Sequence, residues 1–206
     1  MLGGIALAGA FDEAVQHDSQ DDRSRLGDNV AAVARHMGQP EVFATIPCAL
    51  FVTGAVTGRP ALRRSGARIA ASLALAGVLV TAGKLAFGRL RPSQVQEPDE
   101  WKPFSGADAF PSGHSAMAFA LATSMANEIR RRWATVALMA AAAGTGWSRI
   151  NDNKHWLSDV VAGAALGITS AELMGGRWTV FHLRPPMPVV GSGRAGIVWG
   201  TAVRLP

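Results

Sequence analysis

The chain of 206 residues has one cysteine, Cys48, set inside an apolar stretch, so no disulfide can form within the chain and packing is that thiol's default role. A Walker phosphate loop and internal repeats are both missing, which excludes the common nucleotide-hydrolysing and solenoid designs. Charge is sparse, with 17% charged residues against 49% hydrophobic ones. No second cluster of histidines and carboxylates accompanies His155 and Asp159, so the pattern offers a metal no ligand set. A net charge of +5 and a pI near 10.6 would suit nucleic acid. The arginines, however, gather at the ends of apolar stretches, where membrane topology or anionic headgroups explain them better. The apolar stretches themselves, 42–57, 69–87, 115–127, 133–147 and 160–171, mostly fall short of the roughly 20 residues of an ideal membrane span.

What is present concentrates in three short segments. Lys84 and Arg91 lie seven residues apart with Pro92 behind them. A helix carried through from one to the other would put both on one face, about two turns apart, and the proline would end it there. A lysine point charge beside an arginine fork suits a tetrahedral dianion. Next comes Pro111-Ser112-Gly113-His114, ahead of an apolar run. Ser112 reads as an N-cap, Gly113 leaves its N–H uncovered, and a helix start of this kind receives anions. His114, in the first turn, is placed to pass a proton to a departing oxygen. The third segment holds Arg149, a further guanidinium for the same anion, followed by His155 and Asp159. Four residues apart, these two would share a helical face, the carboxylate accepting from one ring nitrogen and leaving the other free to attack.

Singly, each segment also has a plain structural reading: a basic helix end at a membrane edge, a capped loop-to-helix turn, a surface ion pair. Their occurrence together, in order, at the borders of apolar stretches points to phosphoryl transfer without a metal. That reaction has a loosely bonded, charge-rich transition state, which fixed cations and N–H donors stabilise, and a histidine nucleophile divides the displacement into two steps.

The three patterns, KxxxxxxRP, PSGH and SRxxxxxHxxxD, resemble at every fixed position the signature of the type 2 phosphatidic acid phosphatase family, whose relatives are class A acid phosphatases and vanadium haloperoxidases. The resemblance covers Lys84 to Asp159 and the flanking apolar stretches. It implies an all-α helical bundle, polytopic in a membrane, that hydrolyses a phosphate monoester or diphosphate, foremost of a lipid, with no cofactor and no metal. It further implies that His155 forms a phosphohistidine, that Asp159 orients it, that His114 protonates the leaving group, and that Lys84, Arg91, Ser112, Gly113 and Arg149 hold the phosphate. Phosphatidate, phosphatidylglycerophosphate and polyprenyl diphosphates all fit, with no choice among them. Two alternatives stay open: the same cradle holding vanadate would make a haloperoxidase, and a soluble periplasmic acid phosphatase would act on small phosphate esters.

Charge placement favours the membrane. Arg59, Arg63, Arg64 and Arg68 lie between the first two apolar stretches, Arg130 to Arg132 between the third and fourth, and Arg177 and Arg184 after the fifth. If the stretches are spans, these arginines share one side, cytoplasmic by the positive-inside rule, and the three motif segments face the other. Trp101, Trp147 and Trp156 would then mark the outer interface, Trp133 and Trp178 the inner one. The expected location is an inner membrane with the site facing the periplasm. The chain divides into an N-terminal acidic segment, 1–40, either the remnant of a longer first helix or an apolar start too short to span followed by a solvated stretch; a phosphatase helical core, 41–178; and a tail, 179–206, without a functional reading. The loop from Pro92 to Pro111 is either a lid or a connector.

Overall fold

The computed structural model describes residues 2–179, 187–190 and 195–198. Among them are eight α-helices: α1 (Leu2–Gly9), α2 (Asp12–Asp21), α3 (Arg25–Ala34), α4 (Pro40–Val56), α5 (Pro60–Phe87), α6 (Gly113–Ile129), α7 (Arg132–Asn151) and α8 (Leu157–Met174). A 3-10 turn, Arg35–Gly38, joins α3 to α4. The fold is the all-α bundle expected, and the five apolar stretches become α4 to α8.

Helix boundaries follow local chemistry. Pro40 and Pro60 open α4 and α5, where their missing N–H costs nothing. Gly88 closes α5 in the left-handed conformation, φ 55°, and a side chain there would run into the carbonyl of Lys102. This corrects the expectation that the helix runs through Arg91 to Pro92.

α6 forms the centre, packed against α5, α7 and α8. Ala116, Ala118, Ala120 and Ala122 along it are wholly buried. Its neighbours can approach closely because they are small too. A Cβ on Gly163 or Gly167 of α8 would collide with the backbone carbonyl of Ser112 or Ala116 respectively. Such small residues one turn apart let two helices meet backbone to backbone.

Helix direction decides where the chemistry gathers. Ser65 and Arg68, early on α5, pair with Glu128 near the end of α6, so these two helices run antiparallel. Ser112 at the start of α6 donates its N–H to the carbonyl of Asp159 at the start of α8 (2.9 Å), while Asn127 meets Glu172 near their far ends, so α6 and α8 run parallel. One end of the bundle therefore collects the end of α5, the start of α6, the end of α7 and the start of α8. The arginines of the α4–α5 and α6–α7 connections lie at the other end.

α5 and α8 are each long and apolar enough to cross a membrane. Val52, Val56, Val78, Leu85, Trp133 and Val136 are exposed on α4, α5 and α7, an apolar outer surface of the sort a bilayer covers. Cys48 is exposed on α4 and not packed. Residues before α4 form helices that join the bundle: α1 lies on α8 and α3 on α7. The acidic segment is thus not simply solvated, since Asp12 is buried. In the tail, Met187–Val190 and Ala195–Val198 pair as an antiparallel two-stranded ribbon, Met187 opposite Val198. Arg184 lies outside the described residues.

Candidate active site

All eight residues singled out from the sequence come to the one end of the bundle, by routes that differ from those expected. Lys84 is on the last turn of α5, but Arg91 stands beyond Gly88, outside any helix and at the start of a turn. They meet nevertheless at a common carboxylate. Asp108 receives Arg91 Nε (2.9 Å) and Nη2 (2.7 Å) and lies 3.3 Å from Lys84 Nζ. Burial pushes the Asp108 carboxyl up, but the hydrogen bonds from Arg91 and the charge of Lys84 outweigh it and hold the group below its usual range.

Ser112 occupies the N-cap position of α6, but its side chain caps nothing. It is wholly buried and accepts from Ser115 Oγ at 3.0 Å. The first N–H groups of α6, from Gly113 onward, have no acceptor within the helix and form its positive end. His114 follows in that first turn, overlain by the turn that ends at Gly38, where a Cβ would strike the His114 backbone. Burial, then the charges of Arg149, His155, Lys84 and Arg91, lower the His114 imidazole to about 4. His114 thus lies within the electrostatic reach of three cations and of the second imidazole.

Arg149 closes α7. Its Nη1 donates to Asp152 (2.9 Å), which also takes Arg35 Nη1 (3.1 Å). Among the described residues its Nε, also buried, has no hydrogen-bond partner. A buried N–H left without an acceptor is costly unless a ligand supplies one.

His155 precedes α8, and so does not share a helical face with Asp159. Its Nδ1 lies 2.8 Å from the carbonyl oxygen of Ala109 and 3.5 Å from Asp159 Oδ2. A carbonyl only accepts, so Nδ1 carries the proton and Nε2 the lone pair. Asp159, wholly buried, uses Oδ2 chiefly to take the Trp156 N–H (2.9 Å), the backbone donor just ahead of α8. Burial lowers the His155 imidazole, partly opposed by Asp159.

Behind Asp159 lies a network that the sequence patterns did not reveal. Arg89 donates Nη1 to Asp159 Oδ1 (2.7 Å) and Ser158 Oγ (2.7 Å), and Nη2 to Asp12 Oδ2 (2.7 Å). Asp12 in turn accepts the N–H (2.7 Å) and hydroxyl (2.6 Å) of Ser158. Arg89 is sandwiched by Trp101 and Trp156, 4.7 and 5.4 Å from the ring centres. Trp156 is therefore a buried platform, 1% exposed, and not an interfacial anchor. The loop before Pro111 is bound into this scaffold through Trp101 and through the Pro98 carbonyl, which takes Arg89 Nε at 2.8 Å. Its fixed points favour the connector over the lid. The only hint of Arg89 in the sequence is a second arginine two residues before the one in the signature; Asp12 gives none.

The sequence profile of the PAP2 superfamily matches residues 65–176, more than half of the chain. The chain belongs to the PAP2 superfamily. Within the superfamily, a lipid A 1-phosphatase from Porphyromonas gingivalis is 46% identical over 111 residues, 53% of this chain and 22% of that protein. A lipid A 1-phosphatase from Rhizobium etli is 35% identical over 107 residues, 50% of this chain and 45% of its own length. The matched part thus spans less than half of either curated relative. In three dimensions the PAP2 fold is shared with a transmembrane PAP2-type phosphatidylglycerolphosphate phosphatase from Bacillus subtilis, with a TM-score of 0.65 at 20% identity over 85% of this chain and 92% of that one.

Proposed function

We propose that this chain is a metal-independent phosphatase of a membrane lipid, and that it removes the phosphate in two steps through His155. The observation that carries the reading is the fixed tautomer of His155: the Ala109 carbonyl keeps the proton on Nδ1, so Nε2 holds its lone pair, within the electrostatic reach of Arg149 and Lys84.

In the first step Nε2 bonds to phosphorus while the bond to the leaving oxygen breaks, and His114 gives that oxygen its proton. In the second a water gives a proton back to His114 and its oxygen bonds to phosphorus as the P–N bond breaks, releasing inorganic phosphate and restoring both imidazoles. Lys84, Arg91, the free Nε of Arg149 and the N–H groups that begin at Gly113 hold the equatorial oxygens. Ser112 supports that helix start from a buried position, and Asp159 faces the imidazolium that forms. Apart from Ser112, which the resemblance placed on the phosphate itself, these are the roles the resemblance to the family implied.

Lipid A, at its 1-phosphate, is the substrate that the naming of the relatives supports. The bundle sits in a membrane with α5 and α8 spanning it, the site end outward and the arginine-rich end in the cytoplasm, as the positive-inside rule requires. In a bacterium with two membranes that orientation opens the site to the periplasm.

The test is phosphate release by the detergent-purified chain, with chelator present, from lipid A, phosphatidylglycerophosphate, phosphatidate and a soluble monoester. Preference for lipid A, loss of turnover in His155→Ala and retained phosphate binding in that variant are expected. A phosphoenzyme that maps to another residue overturns the nucleophile, and bromide oxidation on adding vanadate without phosphatase turnover overturns the hydrolase.

A further inference from the structure

Arg89 reaches His155 by two independent paths. Its guanidinium holds Asp159 Oδ1, and its backbone carbonyl accepts the N–H of Ala109 at 3.0 Å. Ala109 and Asp159 are the two groups that face His155 Nδ1. One residue thus fixes both acceptors of the nucleophile, and it occupies an unspecified position of the first signature pattern.

A lone arginine on Asp159 would create a difficulty. Its positive charge, 2.7 Å from the carboxylate, would cancel the negative charge on which a phosphorylated, cationic imidazole depends. Asp12 removes the difficulty. It sits on the other arm of the same guanidinium, also at 2.7 Å, with 1% exposure, so water does not screen it. Two carboxylates and one guanidinium leave the group with one net negative charge to face the imidazole.

Other charges around His155 are cationic or already spent. Arg149 at the end of α7 and Lys84 on α5 bear on it, and His114 on α6 lies within its electrostatic reach. Asp152 is occupied by Arg149 and Arg35, and Asp108 by Arg91 and Lys84. Negative charge to match a positive imidazole has to come from behind Asp159.

We infer that Arg89 and Asp12 are positioning residues for the reaction: Arg89 holds Asp159 and the Ala109 carbonyl against His155, and Asp12 supplies the carboxylate that keeps this assembly one charge negative. The inference rests on His155 being the nucleophile. Asp12→Asn keeps the shape and removes the charge. With less negative charge nearby, the protonated imidazole is disfavoured, so the acid limb of kcat/KM moves to lower pH, by about half a unit or more. The same loss destabilises the phosphoimidazolium, so kcat falls about tenfold with KM little changed. Asp12→Asn combined with Arg89→Gln restores one net negative charge, and the acid limb returns toward the wild-type position, which a purely structural role has no reason to produce.

The experiment measures pH profiles of lipid A hydrolysis for wild type, both variants and His155→Ala. It also titrates the His155 imidazole carbon resonance, identified by its loss in His155→Ala, so that a variant too slow to assay still reports. A downward shift in Asp12→Asn, reversed in the double variant, is the expected result. If His155→Ala is inactive but the Asp12→Asn profile and titration superimpose on the wild type, or the double variant fails to reverse the shift, this inference is overturned and the nucleophile stands. If His155→Ala still turns over, the functional reading itself is overturned, and this inference goes with it.

Discussion

Asp108 grips Arg91 through both carboxylate oxygens, at 2.9 and 2.7 Å, with Lys84 Nζ completing the set at 3.3 Å. A carboxylate thus sits on the two cations to which the phosphate of a substrate is assigned. Its side chain is 44% exposed, so releasing it costs little. Asp108→Asn weakens this internal competitor while keeping its shape. Inorganic phosphate should then inhibit about threefold to tenfold more strongly, and KM should fall alongside. Inhibition constants at fixed pH check this, and weaker inhibition would mean that Asp108 instead holds the cations in place for phosphate.

Arg149 presents the converse case, a buried guanidinium with Nη1 bound to Asp152 and Nε without a partner. Lysine at this position keeps the charge but cannot serve Asp152 and a phosphate oxygen in fixed directions at once. Arg149→Lys should lower kcat by about a hundredfold while the protein stays folded. Steady-state kinetics beside thermal unfolding in detergent provide the check, and a loss of threefold or less would remove Arg149 from transition-state binding.

The membership of this site was legible in the sequence because each signature residue is of a type that limits what it can do: two imidazoles, three cations, a glycine at a helix start. The geometry joining them was less so. Seven-residue spacing suggested a single helix for Lys84 and Arg91, but glycine at position 88 permits either a continuing helix or a left-handed stop, and the Lys102 carbonyl, distant in sequence, decides it. The spacing of His155 and Asp159 suggested a shared helical face, while in fact the carboxylate caps α8 and the ring turns to the Ala109 carbonyl. Backbone acceptors leave no mark in a sequence pattern. Asp12 and Arg89 were invisible for a related reason: their pairing is made by tertiary packing across 77 positions. The bundle was easier to read, since apolar stretches bounded by arginines mark α4 to α8 directly.

The pH dependence follows from the two imidazoles. Burial lowers His155, so it stays unprotonated and nucleophilic further into acid than an exposed histidine would. The acid limb of kcat/KM should therefore lie below the usual imidazole value of about 6.5. His114, lowered to about 4 by burial and its cationic neighbours, is neutral in the empty site at neutral pH. A bound phosphate dianion reverses those neighbours' effect and raises it, so the proton needed by the leaving group arrives with the substrate. The basic limb of kcat should consequently lie at higher pH than that of kcat/KM. Profiles from pH 4 to 9 test both signs, and an acid limb above about 6.5 or coincident basic limbs would contradict them.

Gly163 and Gly167 test whether the bundle's close packing serves the site or only the fold. Glycine to alanine inside a helix ordinarily stabilises by about 1 kcal/mol. Here the added methyl would meet the Ser112 carbonyl at position 163 and the Ala116 carbonyl and Ala120 nitrogen at position 167. Both changes force α8 away from α6 and should destabilise by about 1–3 kcal/mol, reversing the usual sign. Their effects on turnover should part. Ser112 lies beside Gly113 and bonds to Asp159, so Gly163→Ala shifts the anion-binding helix start against His155, and kcat should fall about tenfold. Gly167 lies one turn deeper, among alanines, and Gly167→Ala should keep kcat within about threefold despite a similar drop in unfolding temperature. Equal losses of kcat in the two variants would show that α6 and α8 move as one rigid pair, and that the catalytic end is insensitive to where along them the strain is applied.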